Sequence, residues 1–264
     1  LEHIVPASST NFYVFYSYDA YNYYSTGQPV SVTMTNYLAG EVVEPFAYTN
    51  GVSWDARNGG SVWSAAWSSD ADFFVTNGSL AAPANYPMSA ANRVIGPDAG
   101  VNAGRMQQRA CAVRNSGKVY VTYLMSIGQN GAGRYAGIDL QSNGTSKIFV
   151  GMRGPTDKLG IEQSGGGVTA DSAYTINAGT DRVYAIVVQY DFTTRVVQAK
   201  AYYTTDAIPN DEPTAWDVSA TMPANLMNSM DGLALTCGGY DGETVGNVYY
   251  DEIRVGSSWY GAMQ

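Results

Sequence analysis

The feature that most constrains the fold of this chain is the absence of a long helical pattern. No segment of twelve or more residues carries apolar side chains at helical spacing, and short β-rich runs alternate with turn residues instead. The clearest runs are Pro29–Thr35, Val119–Ser126, Tyr135–Leu140, Lys147–Met152, Arg182–Tyr190, Arg195–Tyr203, Gly232–Thr236 and Asn247–Val255. This alternation predicts an all-β protein, either a sandwich or a barrel.

The composition supports the same prediction. The chain has 29 Gly and only 14% charged residues, against about 25% in an average protein. Gly, Asn and β-branched residues are poor helix formers, and the length of 264 residues suits one large all-β domain. Arg182–Tyr190 and Arg195–Tyr203 flank a short turn and predict a β-hairpin that is apolar on both faces.

The first forty residues differ from the rest of the chain. Eight aromatic residues occupy thirteen positions, and their spacing favours extended structure: Phe12, Tyr13, Phe15, Tyr16, Tyr18, Tyr21, Tyr23 and Tyr24. We therefore divide the chain into a Tyr-rich extension (1–40) and a sandwich (41–264). The extension either folds back as an edge strand of its own domain or adds a strand to a second copy, and we favour the second alternative.

Charge excludes one class of partner. The net charge of −9 repels phosphate backbones, so we expect no nucleic-acid binding. An acidic surface is compatible with Ca²⁺, which prefers carboxylate and carbonyl oxygens. No apolar run approaches the roughly 18 residues of a membrane span.

The sequence offers little for catalysis. His3 is the one histidine, which removes Ser-His-Asp, Cys-His and His-based metal sites. A glycoside hydrolase needs two carboxylates about 5–9.5 Å apart, which on one strand would appear as Glu-x-Asp. Asp251 and Glu252 are adjacent and point to opposite faces, while Asp241 and Glu243 lie in a Gly-rich turn. We therefore expect a protein that is not an enzyme.

The two cysteines leave two alternatives open. Cys111 and Cys237 lie far apart in the sequence and form no CxxC motif. A disulfide between them would close a long loop and stabilise the fold by roughly 4 kcal/mol. The alternative is that both are small buried hydrophobic residues.

Four aromatic residues beside turns are candidates for contact with a glycan. These residues are Trp54, Tyr86, Trp216 and Tyr240. An exposed ring can stack on the apolar face of a sugar. The alternative is that they belong to the core, as most aromatic residues of a sandwich do.

Motifs near both ends of the sandwich carry a resemblance to a known family. Glu44-Pro45-Phe46, followed by Asn58-Gly59-Gly60 and by Trp63 and Trp67, is similar to a Glu-x-Phe…Asn-Gly-Gly-x-x-Trp-x-x-x-Trp signature. The stretch from Val248 to Trp259 resembles the last strand of the same family. The family is the concanavalin A-like or LamG-like jelly roll of large secreted bacterial surface proteins.

The resemblance implies a two-sheet antiparallel jelly roll in which the first and last strands pair. It also implies a structural Ca²⁺ at that pairing, held by Glu44 and Asp251, with Asn58 and Gly60 in the loop that supplies carbonyl oxygens. The alternative is that Glu44 satisfies loop amides and Asp251 caps a turn.

The combined prediction is a non-catalytic extracellular or cell-surface protein that acts in surface structure, self-assembly or adhesion. Its expected partners are further copies of itself, bound through the extension, and a polysaccharide. The alternative function is that of a carbohydrate-binding module. A glycoside hydrolase or polysaccharide lyase is a third class, which the fold permits without establishing it.

Overall fold

The structure is a computed structural model that describes residues 11–13, 30–32, 41–69, 73–88, 92–96, 104–128, 133–179, 182–239 and 247–263. The chain divides into two compact units, Leu1–Gly40 and Glu41–Gln264. In the first unit, β1 (Asn11–Tyr13) and β2 (Val30–Val32) pair antiparallel as a two-stranded sheet. Phe12 and Tyr13 belong to β1, and the other six aromatic residues of the predicted extension lie outside the described residues.

The second unit contains fifteen described strands and one short helix. In chain order they are β3 (Val42–Glu44), β4 (Ser68–Ser69), β5 (Phe74–Thr76), β6 (Arg93–Gly96), β7 (Arg105–Arg114), β8 (Lys118–Ile127), β9 (Arg134–Ser142), β10 (Thr145–Arg153), β11 (Lys158–Gln163), β12 (Thr169–Thr175), β13 (Tyr184–Asp191), β14 (Val196–Tyr203), β15 (Val218–Thr221), β16 (Met230–Gly239), β17 (Val248–Gly256) and α1 (Trp259–Ala262). None of the helical segments in the described ranges is long and apolar enough to cross a bilayer.

These strands form two antiparallel sheets, which confirms the predicted fold class. The seven-stranded sheet has the order β12-β11-β10-β9-β16-β7-β4, and the eight-stranded sheet has the order β15-β14-β13-β8-β17-β6-β5. β3 pairs with β17, with Glu44 opposite Ile253, so strands from the two ends of the sandwich lie side by side as predicted. The predicted hairpin is also confirmed, because β13 pairs with β14 along its length.

The main core lies between the two sheets. On β9 and β10 every second residue points into it, and the side chains of Ile138, Leu140, Ile148 and Val150 are fully buried. A second apolar cluster covers the outer face of the eight-stranded sheet. There the C-terminal helix and neighbouring loops cover residues of β8, β13 and β14, and the members include Leu80, Tyr86, Leu124, Val187, Ile208 and Trp259.

The predicted disulfide is not formed. Cys111 lies on β7 and Cys237 on the neighbouring β16, whose register places Cys237 opposite Arg105. Six residues therefore separate the two along the ladder, about 20 Å of strand. A disulfide requires Cα atoms about 4.4–6.8 Å apart. The structure favours the second alternative, because both side chains are buried in the core.

Candidate functional site

Glu44 is fully buried, and both oxygens of its carboxylate accept hydrogen bonds. Its carboxylate accepts hydrogen bonds from the backbone N–H of Phe46 (3.0 Å), the hydroxyl of Tyr48 (2.9 Å) and the indole of Trp67 (2.8 Å). The Arg109 guanidinium forms an ion pair with the same carboxylate. Burial raises the pKa of Glu44, whereas these donors and the Arg109 charge favour its ionised form.

Arg109 occupies the centre of the predicted metal-binding loop. Its guanidinium donates to the side-chain oxygen of Asn58 (2.7 Å) and the carbonyl of Ala65 (2.7 Å), and it lies 4.7 Å from the centre of the Trp63 ring. The sequence motif does bring Glu44 and Asn58 together, but the cation that joins them is a side chain of the same chain. Gly60 packs against the Val43 carbonyl in a left-handed conformation with a φ of 72°.

Asp251 is directed away from Glu44 by a β-bulge. The register of β17 against β8 shifts between Asp251 and Arg254, and Glu252 has a φ of 47°. Asp251 therefore accepts hydrogen bonds from the backbone of Leu80 (2.8 Å), in the outer apolar cluster, and of Glu252 (2.9 Å). Burial raises its pKa to about 8.

The predicted ligands do not fit a calcium ion. Glu44 and Asn58 are bound to Arg109, and Asp251 bonds to a different cluster. Within the described ranges, no three His, Cys, Asp or Glu side chains are grouped so that they could hold a metal. The structure supports the alternative that Glu44 satisfies loop donors.

Three of the four predicted glycan-contact residues are packed against other side chains. Trp54 is fully buried and lies 3.9 Å from the ring of Trp67, so its prediction as an exposed ring is wrong. Tyr86 is also buried, and its hydroxyl donates to the carbonyl of Glu252 (2.7 Å). Trp216 is half-buried against the outer cluster. Tyr240 lies outside the described residues.

A cleft of about 540 Å³ lies on the outer face of the seven-stranded sheet, on the side of the sandwich opposite to the outer apolar cluster. Its lining comes from β9, β10, β11, β12, β16 and the turns beside them: Tyr135, Asp139, Phe149, Arg153, Gly154, Pro155, Glu162, Ser164, Gly165, Thr169 and Thr236. Side chains on this face alternate along each strand with the buried residues of the core, and the lining combines charged and hydroxyl groups with two aromatic rings.

Strand register brings the lining residues together from distant parts of the chain. Asp139 lies opposite Phe149, Phe149 lies opposite Glu162, and Glu162 lies opposite Thr169. These four residues form one row across β9, β10, β11 and β12. Asp139 and Glu162 are thus two strands apart, about 10 Å between their backbones.

A row of three glycines lies beside this row on the same strands. Gly137, Gly151 and Gly160 face one another on three adjacent strands. The backbones of Gly137 and Gly151 approach closely, since a Cβ on Gly137 would lie 2.3 Å from the Val150 carbonyl and 2.7 Å from the Gly151 Cα. The absence of side chains here lets neighbouring groups come close to the strands: a Cβ on Gly160 would lie 2.4 Å from the Cδ of Arg153, so the Arg153 side chain crosses this glycine.

Two half-buried aromatic rings stand in the cleft. Tyr135 and Phe149 meet edge to face, with ring centres 6.2 Å apart. The Phe149 ring covers Gly137, where a Cβ would lie 3.0 Å from the ring. Both rings are therefore held by packing on one side while they line the cleft on the other.

The two carboxylates that line the cleft differ in their partners: Glu162 forms an ion pair, whereas Asp139 is hydrogen-bonded to neutral hydroxyls. Arg153 pairs with both Glu162, at 3.0 Å, and Asp171. Asp139 is only 8% exposed and accepts a hydrogen bond from the Ser164 hydroxyl (3.3 Å). Burial raises the pKa of Asp139 to about 6, and the negative charge of Glu162 raises it as well. The hydrogen bonds from Ser164 and Ser146 lower it, but by less than burial raises it.

Sequence reasoning missed this cleft because it searched for paired carboxylates along one strand. The one signal present in the sequence is a glycine inside two of the predicted β-rich runs, at 137 and 151. Glycine within a strand often marks a site where a ligand or another backbone approaches closely.

No protein-family model matches the sequence, and no curated protein matches it. Among solved structures, peanut lectin is similar with a TM-score of 0.42 and 10% identity, over 81% of this chain and 97% of the lectin. A GH131 β-glucanase catalytic domain from Podospora anserina has a TM-score of 0.41 and 14% identity, over 88% of this chain and 91% of the domain. A protein of unknown function from Shewanella oneidensis has a TM-score of 0.44 and 12% identity, over 81% and 84%. These values assign neither a ligand nor an activity to the chain.

Proposed function

We propose that the chain is a carbohydrate-binding β-sandwich and that the cleft on the seven-stranded sheet is its binding site. The observation that carries this proposal is the combination of two half-buried rings with carboxylate, guanidinium and hydroxyl groups in one cleft of about 540 Å³. A volume of this size lies within the range of small-molecule sites, about 300–1,000 Å³.

The chemistry of the lining matches that of a sugar. A pyranose presents an apolar face of C–H groups, which packs against aromatic rings such as Tyr135 and Phe149. Its hydroxyls both donate and accept, and the cleft offers the acceptor oxygens of Asp139 and Glu162 with the donors of Arg153. Among the described residues, the outer face of the eight-stranded sheet offers no equal alternative, since an apolar cluster covers it.

A binding panel tests the proposal. Insoluble polysaccharides should retain the protein in pull-down assays, and calorimetry with the matching oligosaccharide should give a saturable isotherm. Phe149→Ala should weaken binding at least about tenfold, because it removes a stacking surface. Phe74→Ala is the matched control, since Phe74 is an exposed ring on β5 of the other sheet.

Two outcomes would oppose the proposal. If no polysaccharide retains the protein, the proposed carbohydrate-binding function is wrong. If the Phe149 and Phe74 variants lose binding equally, the cleft is not the binding site. Thermal melts of both variants must accompany the assay, because Phe149 also packs over Gly137.

Self-assembly through residues 1–40 remains a second candidate function. The observation that favours it is that β1 pairs with β2 in a separate sheet of three-residue strands. Two-stranded sheets are marginal in water and gain stability from a further strand. Light scattering of the full chain and of a chain without residues 1–40 tests this: assembly should be lost in the shorter chain, and a monomeric full chain at tens of micromolar would contradict it.

A further inference from the structure

Asp139 is a buried carboxylate whose charge meets no cation in the described residues. It is 8% exposed, and its hydrogen-bond partners are the hydroxyls of Ser164 and Ser146. A buried charge that is bonded only to neutral groups retains most of its desolvation cost. Because Asp139 lines the cleft, a ligand can reach it.

The charges around Asp139 do not supply the missing partner. Arg153 is the one cation among the described lining residues, and two carboxylates, Glu162 and Asp171, already bind it. The cleft therefore carries an excess of negative charge when it is empty. An anionic sugar would meet repulsion there, and a neutral sugar would leave the excess unchanged.

We infer that the cleft selects amino sugars with a free ammonium group, which Asp139 binds as an ion pair. This inference rests on the proposed carbohydrate-binding function and names its ligand class. Phe149 lies directly opposite Asp139 on the neighbouring strand. An ammonium bound at Asp139 would therefore also be close to an aromatic ring, whose face attracts cations.

A matched pair of ligands tests the inference. A glucosamine oligosaccharide and its N-acetylated counterpart share the same backbone and differ in charge. Calorimetry near neutral pH should show binding of the free-amine form at least about tenfold tighter. Asp139→Asn, which preserves the side-chain shape, should abolish this preference. Asp55→Asn, at an exposed loop position, should preserve it.

The outcomes separate this inference from the proposed function. If the two oligosaccharides bind equally, or if Asp139→Asn keeps the preference, the amino-sugar inference is wrong while carbohydrate binding stands. If neither they nor neutral or acidic polysaccharides bind, the proposed function itself fails. If poly-lysine competes as well as the glucosamine oligosaccharide, the cleft attracts cations without recognising a sugar, which also overturns the inference.

Discussion

The Arg109–Glu44 pair supports a quantitative prediction, because each partner is almost inaccessible to water. Replacing Arg109 with Met keeps the length of the side chain and removes its charge. Glu44 then remains fully buried with no compensating cation. Breaking a buried pair in this way costs about 3–5 kcal/mol.

The other contacts of Arg109 add little to this cost. Asn58 and Ala65 are exposed, so water can replace the lost hydrogen bonds. The contact with the Trp63 ring adds about 0.5–1 kcal/mol. We therefore expect Arg109→Met to reduce the free energy of unfolding by about 3.5–6 kcal/mol, a large share of the 5–15 kcal/mol typical of a protein.

Urea-induced unfolding measures this loss, with Arg182→Met at an exposed position as the control. The double variant Glu44→Gln/Arg109→Met removes both charges, so its cost should be well below the sum of the two single variants. Additive costs, or a loss below about 1 kcal/mol in Arg109→Met, would refute the account of this network.

Three further predictions follow from the structure. Asp139 has a folded pKa of about 6, raised above its ordinary 3.8, so its contribution to stability is complete below about pH 4 and is lost as the pH rises through 6. Between pH 4 and 7 the free energy of unfolding of wild type should fall relative to Asp139→Asn by up to about 3 kcal/mol in urea titrations, and a difference independent of pH would contradict this. Cys111 and Cys237 should both alkylate in denaturant without reductant, and an intact mass with neither thiol labelled would show that they are bridged. Thermal melts in excess Ca²⁺ and in chelator should superimpose, since Arg109 occupies the loop; a shift of several degrees that Asp251→Ala removes would restore the calcium site.

The alternation of β-rich runs with turn residues in the sequence predicts the strands whose inward-facing residues are apolar. β8, β9, β10, β13, β14, β16 and β17 all coincide with predicted runs. β7 was missed, because Gln107 and Arg109 point into the core and break the apolar alternation. Arg109 is tolerated there only because Glu44, brought alongside by the fold, compensates it.

The sites were less predictable than the strands. The pairing of β3 with β17 follows from the resemblance, but the bulge after Asp251 separates the two carboxylates that the motif places together. In the cleft, Asp139, Phe149 and Glu162 become neighbours only through strand register. Register depends on turns and bulges along the whole sheet, which a pattern within one strand does not encode.

The location of a bound sugar tests the central claim most directly. Backbone amide shifts in ¹H–¹⁵N spectra, followed during titration with the oligosaccharide that binds most tightly, map the contact surface residue by residue. We expect the largest changes at Asp139, Phe149, Glu162 and Thr169, which line the cleft and form one row across four strands. Changes concentrated instead on the outer face of the eight-stranded sheet, or within residues 1–40, would contradict the assignment of this cleft as the binding site.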